Sequence, residues 1–102
     1  MDLPRTYAPP LQDLVQVFKA LADPVRLDLL RRIAAVPQMP CTDLVDESHV
    51  SASTVSYHVK VLRTAGLVDV RKEGRNFFYT YRPATAHHLA AALDELGAAA
   101  SR

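Results

Sequence analysis

The stretch Val50-Ser51-Ala52-Ser53-Thr54-Val55-Ser56-Tyr57-His58-Val59-Lys60-Val61-Leu62 decides the fold. Val55, Val59 and Leu62 fall at i, i+4 and i+7, one apolar stripe of an α-helix. Ser51 stands where a hydroxyl can accept a bond from an orphan N–H of the first turn. The other side is expected to present Ser53, Thr54, Ser56, Tyr57, His58 and Lys60. An ordinary solvated face would carry more Glu and Lys. Short hydroxyls, an aromatic and a cation near a helix N-terminus suit the phosphates and base edges of a DNA major groove. A capped amphipathic surface helix is the plainer alternative.

Downstream, Gly66 ends this helix, because glycine tolerates the left-handed backbone of a helix stop. The period then changes. Residues 67–72 alternate as a strand, Glu73-Gly74-Arg75-Asn76 forms a turn, and residues 77–82 are aromatic and β-prone. Pro83 ends that strand. Residues 84–100 are Ala-rich, with Leu89, Leu93 and Leu96 on one stripe, and predict a last helix.

Upstream, residues 1–10 contain Pro4, Pro9 and Pro10 and are expected to form a flexible arm. Leu11, Leu14, Val15, Phe18 and Leu21 form a helical stripe. Asp23 is placed to cap a second helix with Pro24 at its first position, where a missing N–H costs nothing. That helix runs through Val25, Leu27, Leu29, Leu30 and Ile33. Pro37 and Pro40 mark a loop, and residues 42–47 a short helix with Leu44 and Val45 inward.

The expected fold is mainly α with a small β-hairpin, in the order α-α-α-α-β-β-α. Three helices followed by a two-stranded hairpin make a winged helix-turn-helix, here over residues 11–100. The helix at residues 51–65 would enter the major groove. The wing at residues 68–82 would bring Arg71, Lys72, Arg75 and Asn76 to the sugar-phosphate backbone.

A chain of 102 residues, 49% hydrophobic, is one domain with enough apolar material for a core. No apolar run approaches a membrane span, and the first ten residues lack the apolar centre of a signal peptide. Cys41 is the single cysteine, so no intrachain disulfide can form and the cytoplasm is the expected compartment. The net charge of +1 hides an asymmetry. Residues 1–50 hold five Lys/Arg against seven Asp/Glu; residues 51–82 hold six against two. A polyanion partner, double-stranded DNA, accounts for that concentration. No Gly-rich phosphate loop is present, and Ser, His and Asp are scattered without a motif that would assemble them. An enzyme and a bound cofactor are therefore not expected. A winged-helix protein-interaction module without sequence-specific DNA binding is the rival reading. It gives no reason for a hydroxyl-rich helix face beside a cationic hairpin.

The chain resembles the ArsR/SmtB family of arsenic- and metal-responsive repressors. The likeness rests on Phe18-Lys19-Ala20-Leu21-Ala22-Asp23-Pro24-Val25-Arg26-Leu27, on Asp43-Leu44, on residues 53–68 from Ser53-Thr54-Val55-Ser56-Tyr57-His58 to Gly66-Leu67-Val68, and on Glu73-Gly74-Arg75. It spans roughly residues 11–96. It implies a homodimer through the first and last helices; Leu14, Phe18, Leu89, Leu93 and Leu96, each on an apolar stripe of one of those helices, are the expected seam residues. It also implies repression from a pseudo-palindromic operator that is released when an effector binds. The family's metal sites are not matched. Where the arsenic and cadmium type has Cys-x-Cys before Asp-Leu, this chain has Pro40 and Thr42 flanking Cys41. Where the zinc type has Asp-x-His and His-x-x-Glu, His87 follows Thr85 and Ala98 stands at the second His. His87 and His88 are adjacent and diverge on a helix. No metal is expected at either place. A small molecule, a thiol-modifying agent acting on Cys41, or no effector remain the choices.

Overall fold

The computed structural model describes residues 11–100, and side chains within 13–98. The arm expected at residues 1–10 lies outside the described residues. The elements are α1 (Leu11–Leu21), α2 (Pro24–Ala34), β1 (Met39–Pro40), α3 (Cys41–Ser48), α4 (Ala52–Thr64), β2 (Val68–Glu73), β3 (Asn76–Tyr81) and α5 (Pro83–Ala100).

The winged helix-turn-helix expected from the sequence is the fold, with one strand added. Met39 pairs with Tyr79 and Pro40 with Phe78, giving a three-stranded antiparallel sheet of order β1-β3-β2. The residues read as a Pro-marked loop therefore contain a strand. Two residues are too few to show an alternation, and a proline without an N–H fits an edge strand.

Local chemistry sets the boundaries. The Asp23 carboxylate accepts the backbone N–H of Arg26 at 2.9 Å and caps α2, with Pro24 in its first turn. His49 ends α3 in the left-handed region at φ 58°. Gly66, at φ 81°, closes α4: the Leu67 N–H reaches the Leu62 carbonyl and the Gly66 N–H the Arg63 carbonyl, both at 3.0 Å. Those two hydrogen bonds make a Schellman stop. Between β2 and β3 the turn has two residues, Gly74 and Arg75, and only Gly74 has positive φ, as a type II′ hairpin requires.

The core is one cluster. Leu29 and Ile33 of α2, Leu44 of α3, Val55 and Leu62 of α4, and Leu67 and Val68 leading into the sheet are fully buried. Truncating any of the leucines to alanine would cost about 2–5 kcal/mol, the range for methylene loss plus the cavity left behind. Within the sheet, the inward face carries Val68 against Tyr81 and Val70 against Tyr79. Tyr79 is buried, and burial raises its phenol above the usual range, with a hydrogen bond to Cys41 adding to the shift.

α5 joins the body at its start. Thr85 Oγ1 donates to the Gly66 carbonyl at 2.6 Å, and Leu89 rests half-buried on the core. Beyond Leu89 the described side chains of α5 are exposed except Ala92, which is half-buried, although Leu93 and Leu96 are apolar. No helix among the described residues is long and apolar enough to cross a membrane.

Candidate nucleic-acid interface

α4 is amphipathic about the stripe Val55, Val59 and Leu62, all of them buried. At its N-terminus the Ser51 hydroxyl accepts the Thr54 N–H at 3.3 Å and donates to Thr54 Oγ1 at 2.9 Å. Ser53 Oγ lies 3.4 Å from Ser51 Oγ. These exposed hydroxyls crowd the positive end of the helix, where backbone N–H groups favour anions. Ser56, Tyr57 and Lys60 continue the exposed ridge, and Tyr57 keeps 59% of its surface.

His58 is a correction. It was expected on the exposed side but is buried, at 8% exposure. The spacing explains why: it lies at i+3 from Val55 and i−4 from Leu62, within the apolar stripe. Its Nδ1 is 3.1 Å from Nη1 of Arg26. Arginine can only donate, so Nδ1 accepts and the ring proton resides on Nε2. Arg26 also donates from Nε to the Ala20 carbonyl at 2.6 Å and from Nη2 to the Lys19 carbonyl at 3.1 Å. One side chain of α2 thus ties the C-terminal end of α1 to α4. Sequence reasoning gave Arg26 no role, and nothing in its spacing marks a side chain that reaches two other helices.

The hairpin carries its cations on two faces. Successive strand residues alternate, so Arg71 and Lys72 point oppositely. Arg71 lies over the Phe78 ring at 4.8 Å and pairs with Glu73 at 2.9 Å. Lys72 stands 5.7 Å from the Phe77 ring. Phe77 lines a groove of 170 Å³ together with Ser56, Lys60 and Arg63 of α4. The Lys72 face is therefore the one turned toward α4. Arg75 and Asn76 are exposed at the tip.

Leu14 and Leu89 are half-buried, Phe18 and Leu93 about half exposed, and Leu96 71% exposed. Cys41 opens α3 and is half-buried against the core. Among the described residues no three His, Cys, Asp or Glu side chains come together as metal ligands.

A helix-turn-helix followed by a basic hairpin is a DNA-binding unit, and the comparisons give it a lineage. A family model for a helix-turn-helix domain matches residues 21–71. An uncharacterized HTH-type transcriptional regulator of Methanocaldococcus jannaschii is 40% identical over 65 residues, 63% of this chain and 73% of that protein. A transcriptional repressor SmtB homolog of Synechocystis is 41% identical over 69 residues, 68% of this chain but 52% of its own length. Among solved structures, an ArsR-like transcriptional regulator from Rhodococcus superposes with a TM-score of 0.81 at 28% identity, covering 89% of this chain and 85% of the other. This chain belongs to the ArsR/SmtB family of winged helix-turn-helix transcriptional regulators, and it is not an enzyme.

Proposed function

We propose that the protein is a repressor that binds a pseudo-palindromic operator as a homodimer, with residues 51–65 in the major groove and residues 68–82 along the backbone. The observation that carries this reading is the exposed ridge of α4: Ser51, Ser53, Thr54, Ser56 and Tyr57 at the positive helix end, followed by Lys60. The hydroxyls and Tyr57 read base edges, and Lys60 contacts a phosphate. On the hairpin, Lys72, Arg75 and Asn76 meet the duplex, with Arg71 on the far face. A regulator of this kind works where the chromosome is, in the cytoplasm of a prokaryotic cell. Two-fold symmetry, through α1 and the exposed leucines of α5, would set two recognition helices about one DNA turn apart.

Release does not run through the family's two metal sites, because Pro40, Thr42, Thr85 and Ala98 replace ligands there. Zinc, cadmium or arsenite added to the reduced dimer on DNA should leave the complex intact. Release that disappears on replacing Cys41, or both His87 and His88, would contradict this.

The reading of the groove is tested by selecting duplexes from a random library and repeating the selection with variants. Ser56→Ala and Tyr57→Ala should change the preferred sequence, each at a cost of about 1–3 kcal/mol. Lys60→Gln should weaken all duplexes alike. If both alanine variants select the wild-type sequence with wild-type affinity, the recognition surface lies elsewhere.

A further inference from the structure

The recognition ridge has two flanks. Lys60 lines the groove shared with the hairpin and also a second groove, of 370 Å³, between α4 and α1. The second groove is walled by Gln16 and Lys19 of α1, Arg26 of α2, and Tyr57 and Thr64 of α4. Three cations meet in it. Among the described residues, four of the six other arginines are matched by carboxylates: Arg31 and Arg32 with Asp28, Arg71 with Glu73, Arg82 with Asp69. Among the described residues, none of the ion pairs uses Lys19, Arg26 or Lys60. The nitrogens of Arg26 are taken up by two carbonyls and His58, so its charge is fixed in place; the nearby Asp23 carboxylate feels that charge without forming an ion pair with it. Lys19 is exposed at the end of α1, and its carbonyl is held by Arg26.

A major groove about 12 Å wide has a phosphate backbone along each edge. A helix seated in it meets phosphates on both of its flanks. The hairpin supplies cations for one. We propose that the α1–α4 groove is a phosphate-binding site for the other, with Lys19 as the side chain that contacts the backbone and Arg26 as a fixed background charge. The inference rests on the placement of α4 in the major groove argued above. The competing explanation of Lys19 is local: a cation in the last turn of a helix complements the helix dipole. That role would show in the stability of the protein and not in the salt dependence of binding.

The experiment measures affinity for one duplex, selected by the wild-type protein from a random library, between 50 and 200 mM salt. Each phosphate contact contributes about 0.9 to the slope of log affinity against log salt. Lys19→Gln should reduce the slope by about that amount per bound protomer, leave the selected sequence unchanged, and leave the urea midpoint unchanged. Lys19→Arg should restore the slope, and Arg31→Gln, on a paired arginine of α2, should not alter it. Phosphate ethylation interference should lose protected positions on one strand in Lys19→Gln. If Lys19→Gln keeps the wild-type slope and ethylation pattern while Ser56→Ala, outside this groove, changes the selected sequence, the groove does not touch DNA although α4 does. If Lys19→Gln shifts only the urea midpoint, the dipole role is the whole explanation. If the wild-type protein shows no salt-dependent duplex binding, the placement of α4 itself fails.

Discussion

Nη1 of Arg26 lies 3.1 Å from Nδ1 of His58, joining the start of α2 to the buried side of the recognition helix. The same guanidinium holds the Lys19 and Ala20 carbonyls at the end of α1. The Ala20 carbonyl lies at a helix end that offers it no intrahelical partner, whereas the Lys19 carbonyl also accepts the Ala22 N–H at 3.3 Å. Arg26 therefore fixes the angle between α1 and α4.

Arg26→Ala should destabilise the fold by about 1–3 kcal/mol, the range for losing charge-assisted hydrogen bonds and stranding their acceptors. Arg26→Lys should recover little of this, since one ammonium on a flexible stem does not reproduce a planar fork. Urea unfolding checks both. An alanine variant with a wild-type midpoint would show that the clasp contributes nothing.

Asp23 gives the acid limb of the stability curve. The Arg26 N–H holds its carboxyl below the usual carboxylate value; partial desolvation opposes this, and the positive Arg26 side chain assists. A depressed folded value means that the stabilisation is fully present above the unfolded value of 3.8 and is lost as pH falls through the lower folded value. Asp23→Asn keeps a capping oxygen but does not titrate. Its stability should fall less steeply than wild type below about pH 4. Parallel acid limbs for the two proteins would remove Asp23 as a cause.

The helices were legible because each had a stripe or a cap. Val55, Val59 and Leu62 placed α4, Asp23-Pro24 placed the start of α2, and Gly66 and Gly74 marked turns that need positive φ. What was lost was non-local. β1 has two residues and exists only through Tyr79 and Phe78, some forty positions away. Arg26 takes its meaning from α1 and α4 together. The misplacement of His58 had a local remedy: its polarity drew it to the exposed face, while its position relative to Val55 and Leu62 put it on the buried one. Arg71 and Lys72, adjacent in sequence, read as one basic cluster until the pleat separates them.

That separation predicts unequal roles on the hairpin. Lys72 shares a face with Phe77, which lines the groove beside α4, whereas Arg71 sits over Phe78 and is engaged by Glu73. Lys72→Gln and Arg75→Gln should each lower the salt slope of duplex binding by about 0.9 per protomer. Arg71→Gln should leave it near wild type. Equal losses at all three positions would mean that the duplex wraps both faces of the hairpin.

The last helix predicts how the protein assembles. Leu89 is half-buried against the core of its own chain, so a charge there would damage the fold as well as any interface. Leu93 and Leu96 are free of that complication, being 48% and 71% exposed. Phe18 and Val15 of α1 add further exposed apolar surface, at 44% and 42%. Full burial of a fully exposed side chain of this kind is worth about 1.5–3 kcal/mol, of which Val15, Phe18 and Leu93 still forgo roughly half and Leu96 more, and a second copy offers the same patch in return. Sedimentation should find a dimer at micromolar concentration. Leu93→Glu with Leu96→Glu should give a monomer with an unchanged helical spectrum, because neither residue supports the core. Operator binding should weaken by far more than two lost contacts would explain, since each half-site must then be filled independently. A wild-type monomer, or a dimer that survives both glutamates, would move the interface away from α5.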